Sequence, residues 1–161
     1  MSIHYQPLKE TIVSGEIALL KYAEAKGYLS MSRDGKKVTY TAQGLSYNFR
    51  DPEEHVRVEL YVDLIDKYRY SASRIEFETP MPDSTPNRRA DIVIYEDDDK
   101  KYPYIVIECK KDGISDAEFE QAVRQVIANA RVLKAPYAFC VSGNTYRAIE
   151  TEKWNMREPE K

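Results

Sequence analysis

The sequence predicts a mixed α/β sheet with helices on its faces, and three observations lead there. The run Tyr102 to Lys110 is apolar on both faces, as a central strand is. Two capped amphipathic segments, opening at Asp51 and Ser115, bracket three strand-like runs. Helix, three strands, helix, two strands is then the order of a layered α/β domain. A chain of 161 residues, 42% hydrophobic and 32% charged, makes one compact domain or one domain with an appendage. At about 150 residues a chain removes roughly 68–70% of its unfolded surface from water, so no disulfide or metal staple is needed. A net charge of only −3 at that hydrophobic content excludes wholesale disorder.

From Leu8 to Lys26, Leu8, Ile12, Leu19, Leu20 and Ala23 recur at helical spacing and Gly27 follows as a stop, which predicts a helix packing as a lid. Lys37 to Thr41 and Leu45 to Phe49 flank Ala42-Gln43-Gly44 as a short hairpin. Residues 1–50 thus read as an N-terminal helix and hairpin elaboration packed on a core over 51–151, with a polar tail over 152–161.

The core opens at Asp51-Pro52-Glu53-Glu54, with Asp as N-cap, Pro at the first helical position and Glu for a capping box. This helix should reach about Tyr68 with Val56, Leu60, Leu64 and Tyr68 as its apolar face. Glu53 and Arg57, four apart, fall on or beside that face, so two charged groups point inward. Strands are expected at Arg74 to Glu78, Arg89 to Tyr95 and Tyr102 to Lys110. Ser115-Asp-Ala-Glu118 is a capping box opening a helix with the stripe Phe119, Ala122, Val123, Val126, Ala130 and Leu133. Ala135 to Val141 and Thr145 to Ile149, joined at Ser142-Gly143-Asn144, close the chain as strands.

No stretch approaches about 18 consecutive apolar residues, and MSIHYQPLKE has neither the basic nor the apolar region of a signal peptide. A soluble cytoplasmic protein without membrane contact is expected. Cys109 and Cys140 each sit in an apolar run, where a buried reduced thiol is the ordinary reading, and with only His4 and His55 beside them a zinc site is not expected. A pI near 5.5 argues against a uniformly basic surface for nonspecific nucleic-acid binding while leaving room for a local basic groove.

Chemistry concentrates on the strand ends. Period-2 geometry puts Glu108 and Lys110 on one face of the third strand and Cys109 on the other. Asp91 stands directly before Ile92-Val93-Ile94, so if the two strands are neighbours its carboxylate approaches Glu108. Two carboxylates held close repel unless one is protonated or a cation sits between them. Mg²⁺ suits such a place, being a hard ion usually held by one or two carboxylates with waters and substrate phosphate. Acid-x-Lys also occurs at Glu24-Ala25-Lys26, Asp34-Gly35-Lys36 and Asp98-Asp99-Lys100, where a solvated surface explains it. Two readings of Glu108-Cys109-Lys110 therefore stand side by side, a strand-end ion pair and a metal site.

From about Tyr47 to Ala148 the chain resembles the N-terminal nuclease domain of type I restriction enzyme R (HsdR) subunits, a branch of the PD-(D/E)XK nuclease superfamily. The resemblance is carried by residues 48–57 (NFRDPEEHVR), then Arg89-Ala90-Asp91-Ile92-Val93, Val106-Ile107-Glu108-Cys109-Lys110, Gln121-Ala122-Val123-Arg124, and Ala135-Pro136-Tyr137 with Ser142-Gly143-Asn144. It implies a restriction-endonuclease-like core in which Asp91 and Glu108 bind Mg²⁺, with Mn²⁺ as substitute, and Lys110 is the base or orients water. It also implies that Glu54, with Glu53 as a competing candidate, and Arg57 contribute from the first helix, and that Gln121 of a Gln-x-x-x-Tyr motif lines the site. Helix capping by Glu54 and a structural pair between Arg57 and Glu53 are the plain alternatives. Ala90 stands where the superfamily has proline, and Gln125 where the motif has tyrosine. On a helical wheel Gln121 lies roughly opposite the apolar stripe.

The activity so implied is Mg²⁺-dependent hydrolysis of DNA phosphodiester bonds, water attacking phosphorus and the 3′-oxygen leaving. Arg88, Arg89, Lys100, Lys101 and Lys111 are candidates for phosphate contacts, against a solvated surface as the plain reading. The chain has no G-x-x-x-x-G-K-[S/T] loop, so a nucleotide site and the translocase of a full R subunit are not expected within it. Expected partners are DNA, translocase domains of the same subunit, and methylase and specificity subunits, the chain being read as an N-terminal fragment or truncated form in preference to a small stand-alone relative. The alternative function is a non-catalytic module using this fold to dock subunits or hold DNA. A preference for RNA or branched DNA is a third possibility that these residues do not separate.

Overall fold

The computed structural model describes residues 9–82 and 88–153. Leu8 of the first helix reading and residues 154–161 of the polar tail lie outside them. Helix α1 spans Lys9–Ala25. Three short strands follow, β1 Leu29–Met31, β2 Lys37–Tyr40 and β3 Leu45–Asn48, then helix α2 Pro52–Asp66. Strands β4 Ile75–Pro80, β5 Arg89–Tyr95 and β6 Pro103–Lys110 come next, then helix α3 Asp116–Val132, and last β7 Tyr137–Ser142 and β8 Thr145–Glu150. No helix among the described residues is long and apolar enough to cross a membrane.

Both helix starts follow from side-chain chemistry. The Asp51 carboxylate accepts from the Glu53 backbone N–H at 3.0 Å and Pro52, which has no N–H to satisfy, begins α2. At α3 the Ser115 hydroxyl accepts from the Glu118 N–H at 3.1 Å while the Glu118 carboxylate accepts from the Ser115 N–H at 3.4 Å, a complete capping box.

The strands form two sheets, an antiparallel β1-β2-β3 and a five-stranded β4-β5-β6-β7-β8. In the larger sheet β6 and β7 run parallel, Ile105 opposite Tyr137, because α3 carries the chain back to the same end; the other neighbours are antiparallel. Alternation divides the sheet's side chains between two cores. Val93, Val106, Ala138 and Cys140 meet Phe119, Val123, Val126 and Ile127 of α3. Ile92, Ile94, Ile107 and Cys109 meet α2 and the small sheet, with Leu29, Val38, Tyr40, Val58, Tyr61 and Val62 in one cluster. The two cysteines point to opposite faces as buried free thiols.

Three expectations need correction. The hairpin is a three-stranded sheet, since Leu29–Met31 pairs with Val38–Tyr40. The second helix ends at Asp66, and Tyr68 lies beyond it, 55% exposed. Its buried arc takes in Val58, Tyr61 and Val62 as well as Val56 and Leu64, while Leu60 is half-buried. That arc is wide because α2 is covered by the small sheet on one side and the large sheet on the other, so one apolar stripe does not suffice.

The loop after β6 is pinned where it leaves the sheet. The Ser142 hydroxyl donates to the Lys111 carbonyl at 2.6 Å. At Gly143, φ +56, an added Cβ would lie 2.2 Å from Asp112 Oδ1, so glycine is needed for both the left-handed turn and the close approach.

Candidate active site

Asp91 lies at the start of β5 and Glu108 near the end of β6. The antiparallel register pairs Ile92 with Ile107, so one step further places Asp91 across from Glu108. Asp91 Oδ2 accepts from the Cys109 backbone N–H at 2.7 Å, which ties its carboxylate to the neighbouring strand. Glu108 is 4% exposed. Lys110 Nζ stands 3.5 Å from Glu108 Oε1, on the same strand face as alternation requires.

Charge is crowded here. Burial pushes the Glu108 carboxyl up from its ordinary range, the Asp91 charge pushes it further, and Lys110 offsets part of this. Burial raises the Asp91 carboxyl too, against the pull of the Cys109 N–H. For Lys110, burial acts against the charged form, but the fields of Glu108, Glu53 and Asp91 prevail and raise its pKa. Glu108 Oε2 is buried with no hydrogen-bond partner among the described residues. A desolvated carboxylate oxygen beside a second acid is an arrangement that a hard cation would relieve, so the donor set fits Mg²⁺. No group of three or more His, Cys, Asp or Glu converges as a metal cage among the described residues. An ion here would complete its shell with water or phosphate oxygens.

The two acids in the first turn of α2 divide their work. The charge of Glu53 acts on Asp91, Glu108 and Lys110, so it lies within electrostatic reach of the acidic pair. Glu54 is buried and turned the other way, accepting from Arg57 Nε at 2.9 Å, from Arg57 Nη2 at 2.6 Å and from the Tyr40 hydroxyl at 2.6 Å. The pairing of Arg57 with Glu53 is corrected: Glu54, three residues back on α2, is its partner. Burial and the Glu54 charge raise the Tyr40 phenol well above its ordinary value, keeping it a donor. Arg57 Nη1 reaches further, to Glu78 Oε1 at 2.8 Å and to the Asp91 carbonyl at 3.4 Å. The guanidinium lies over Tyr47 at 4.2 Å and Phe77 at 5.0 Å.

Sequence reasoning missed Glu78. Period-2 counting puts it with Glu76, on the face away from Arg57, and nothing local signals otherwise. Gln121 is exposed on α3, where the wheel places it, with no side-chain partner among the described residues, and Gln125 is half-buried. Of the basic candidates, Arg88 and Arg89 precede Asp91 and Lys111 follows Lys110, so these three share the acidic end of the sheet. Lys100 and Lys101 do not. They lie in the turn from Tyr95 to Pro103, at the opposite end of β5 and β6, because an antiparallel hairpin carries its turn to the far end from its open termini. His55 is engaged elsewhere, stacked on Phe49, hydrogen-bonded to the Phe49 carbonyl at 2.6 Å and paired with Glu16 of α1, whose carboxylate raises its pKa.

A family model described as Type I restriction enzyme R protein N terminus (HSDR_N) matches residues 52–158, about two thirds of the chain. That span covers α2, the whole five-stranded sheet and α3. No curated protein and no solved structure matches the chain.

Proposed function

Because this chain belongs to the type I restriction enzyme R protein N-terminus family, we propose that it is the metal-dependent nuclease part of such a subunit, hydrolysing DNA phosphodiester bonds. The observation that carries this reading is the buried Glu108 oxygen, without a hydrogen-bond partner among the described residues, across from Asp91 with Lys110 beside it. Asp91 and Glu108, with the charge of Glu53 acting on both, stand beside one lysine, Lys110, which further supports a site made for a cation. The layout agrees with the restriction-endonuclease-like core of the PD-(D/E)XK superfamily.

In this reading Asp91 and Glu108 hold Mg²⁺, with Mn²⁺ as substitute. The ion when bound supplies acidification of water and neutralisation of the charge developing on phosphate. The Cys109 N–H holds Asp91 Oδ2, fixing the direction of the other oxygen. Glu108 Oε1 holds the Lys110 ammonium, which then orients the attacking water or donates to the phosphate as the 3′-oxygen leaves. Arg88, Arg89 and Lys111 contact DNA phosphates, which position the duplex without reading its bases. Gln121 has the weakest support as a lining residue. DNA, the translocase domains of the R subunit, and methylase and specificity subunits are the proposed partners, in a cytoplasmic setting.

Calorimetric titration of Mn²⁺ and Mg²⁺ into wild type and Glu108→Ala tests the site without partner subunits. Binding by wild type that disappears in Glu108→Ala supports the reading, and loss of plasmid cleavage in an R subunit carrying Asp91→Ala completes it. A folded wild type that binds neither ion, even with a DNA oligonucleotide present, overturns it in favour of a module that docks subunits or holds DNA.

A further inference from the structure

We propose that Glu78, outside the acid–acid–lysine set, is a positioning residue that holds the Asp91 end of β5 in place through Arg57. The inference rests on the reading of Asp91 and Glu108 as a cation site and deepens it.

The ladder between β4 and β5 pairs Phe77 with Ile92 and Thr79 with Ala90, and lapses at Glu78 and Asp91 between them. At that step Glu78 adopts φ +53, the left-handed region that a residue with a Cβ rarely occupies. Strained backbone of this kind persists only where its surroundings enforce it, and it gathers at functional sites. The left-handed residue breaks the alternation of β4. Phe77 and Glu78 both meet Arg57, while the Thr79 hydroxyl turns back to donate to Glu76 at 2.7 Å on the face where Tyr95 also donates to Glu76. An extended Glu78 would send its carboxylate to the Glu76 face, away from the guanidinium.

An ordinary surface ion pair needs no such backbone. Here it has a geometric consequence, because the Arg57 nitrogen that donates to Glu78 is the same one that reaches the Asp91 carbonyl. The other arms of the guanidinium are taken by Glu54. Beside this gap in the ladder, Arg57 donates to the Asp91 carbonyl. Glu78 fixes the remaining arm of the planar fork, and the Cys109 N–H fixes the Asp91 carboxylate from the other strand. The Arg89 guanidinium donates to the Glu78 carbonyl at 3.1 Å and closes the bend from outside.

Glu78→Gly separates this role from a merely structural one, since glycine accepts the left-handed backbone without strain while removing the carboxylate. The expected result is an unchanged or higher melting temperature, a Mn²⁺ affinity about 10-fold weaker by calorimetry, and faster amide exchange at Cys109 in the metal-free protein. Glu78→Gln, which keeps an acceptor oxygen, should lose less affinity and serves in place of the glycine variant if that one does not fold. Variants that bind Mn²⁺ as wild type does, with Cys109 exchange unaltered, overturn the positioning role and leave the cation site standing. A wild type that binds no Mn²⁺ overturns both.

Discussion

On its α3 side the five-stranded sheet meets Phe119, Val123, Val126 and Ile127, whereas on its α2 side it meets buried Glu54 and Arg57 set among Val58, Tyr61 and Val62. The first side is an apolar contact whose stability follows from area removed from water, and which tolerates small shifts. The second contains a hydrogen-bonded chain from Tyr40 through Glu54 and Arg57 to Glu78 and the Asp91 carbonyl, in which the Tyr40 hydroxyl and all three guanidinium nitrogens donate. Buried ion pairs add little net stability compared with an apolar replacement, so their presence beside the acidic pair points to orientation as their use. The α3 side holds the sheet together by area, and the α2 side orients the Asp91 end of β5.

Breaking that comparison starts with Arg57→Met. Removing one partner of a buried pair strands Glu54, so a loss of about 3–5 kcal/mol is expected in urea unfolding at pH 7, together with weaker Mn²⁺ binding by the molecules that remain folded. Ile127→Ala, on the apolar side, should cost about 2–4 kcal/mol through its cavity. Its Mn²⁺ affinity should match wild type, and an equal fall in both variants would abolish the distinction between the faces.

Smaller effects sharpen it. At Gly143→Ala the left-handed turn and the encounter with Asp112 should cost about 1–3 kcal/mol, read from the shift in urea midpoint. Adding Asp112→Ala should recover the part due to the carboxylate and leave the parts due to backbone and to the Cβ of residue 112, 2.9 Å away. On α2, burial and the charge of Asp63 push the Glu59 carboxyl up from 4.5 to about 7. An acid whose folded pKa is raised binds its proton more tightly in the native state, so its contribution is fully present below about pH 4.5 and is lost as pH rises through about 7. Stability should therefore fall across that window, in the same sense as for Asp91 and Glu108. Glu59→Gln should flatten the profile by about 1–2 kcal/mol, a value reduced for the partial exposure of Glu59. A profile as steep as that of wild type would remove Glu59 from the account.

Much of this was legible in the residues. The capping box at Ser115, the Asp51 cap and the stripe of α3 rest on contacts within one or two helical turns, and strand β5 runs from Arg89 to Tyr95 as its apolar pattern indicates. The neighbourhood of Asp91, Glu108 and Lys110 follows from period-2 alternation once β5 and β6 are adjacent. Strand β1 was not legible, because three residues, Leu29-Ser-Met31, are too few to display an alternation. Lys100 and Lys101 were misplaced because nearness in sequence to two strands does not say at which end of them a residue lies.

Local chemistry thus accounts for the helices and the longer strands and for the face that most of their side chains take, since caps and periodicities act within one or two helical turns. Three matters lay beyond its reach: that Glu54 is taken up by Tyr40, that Arg57 takes Glu54 and not Glu53 as partner, and that Glu78 leaves its strand period to join them. Each depends on segments far apart in the chain, with Tyr40 of the small sheet meeting Glu54 and Arg57 of α2 meeting Glu78 of β4. A buried charge goes where its partner is, and the partner's position is a property of the packed layers, not of its own neighbours in sequence.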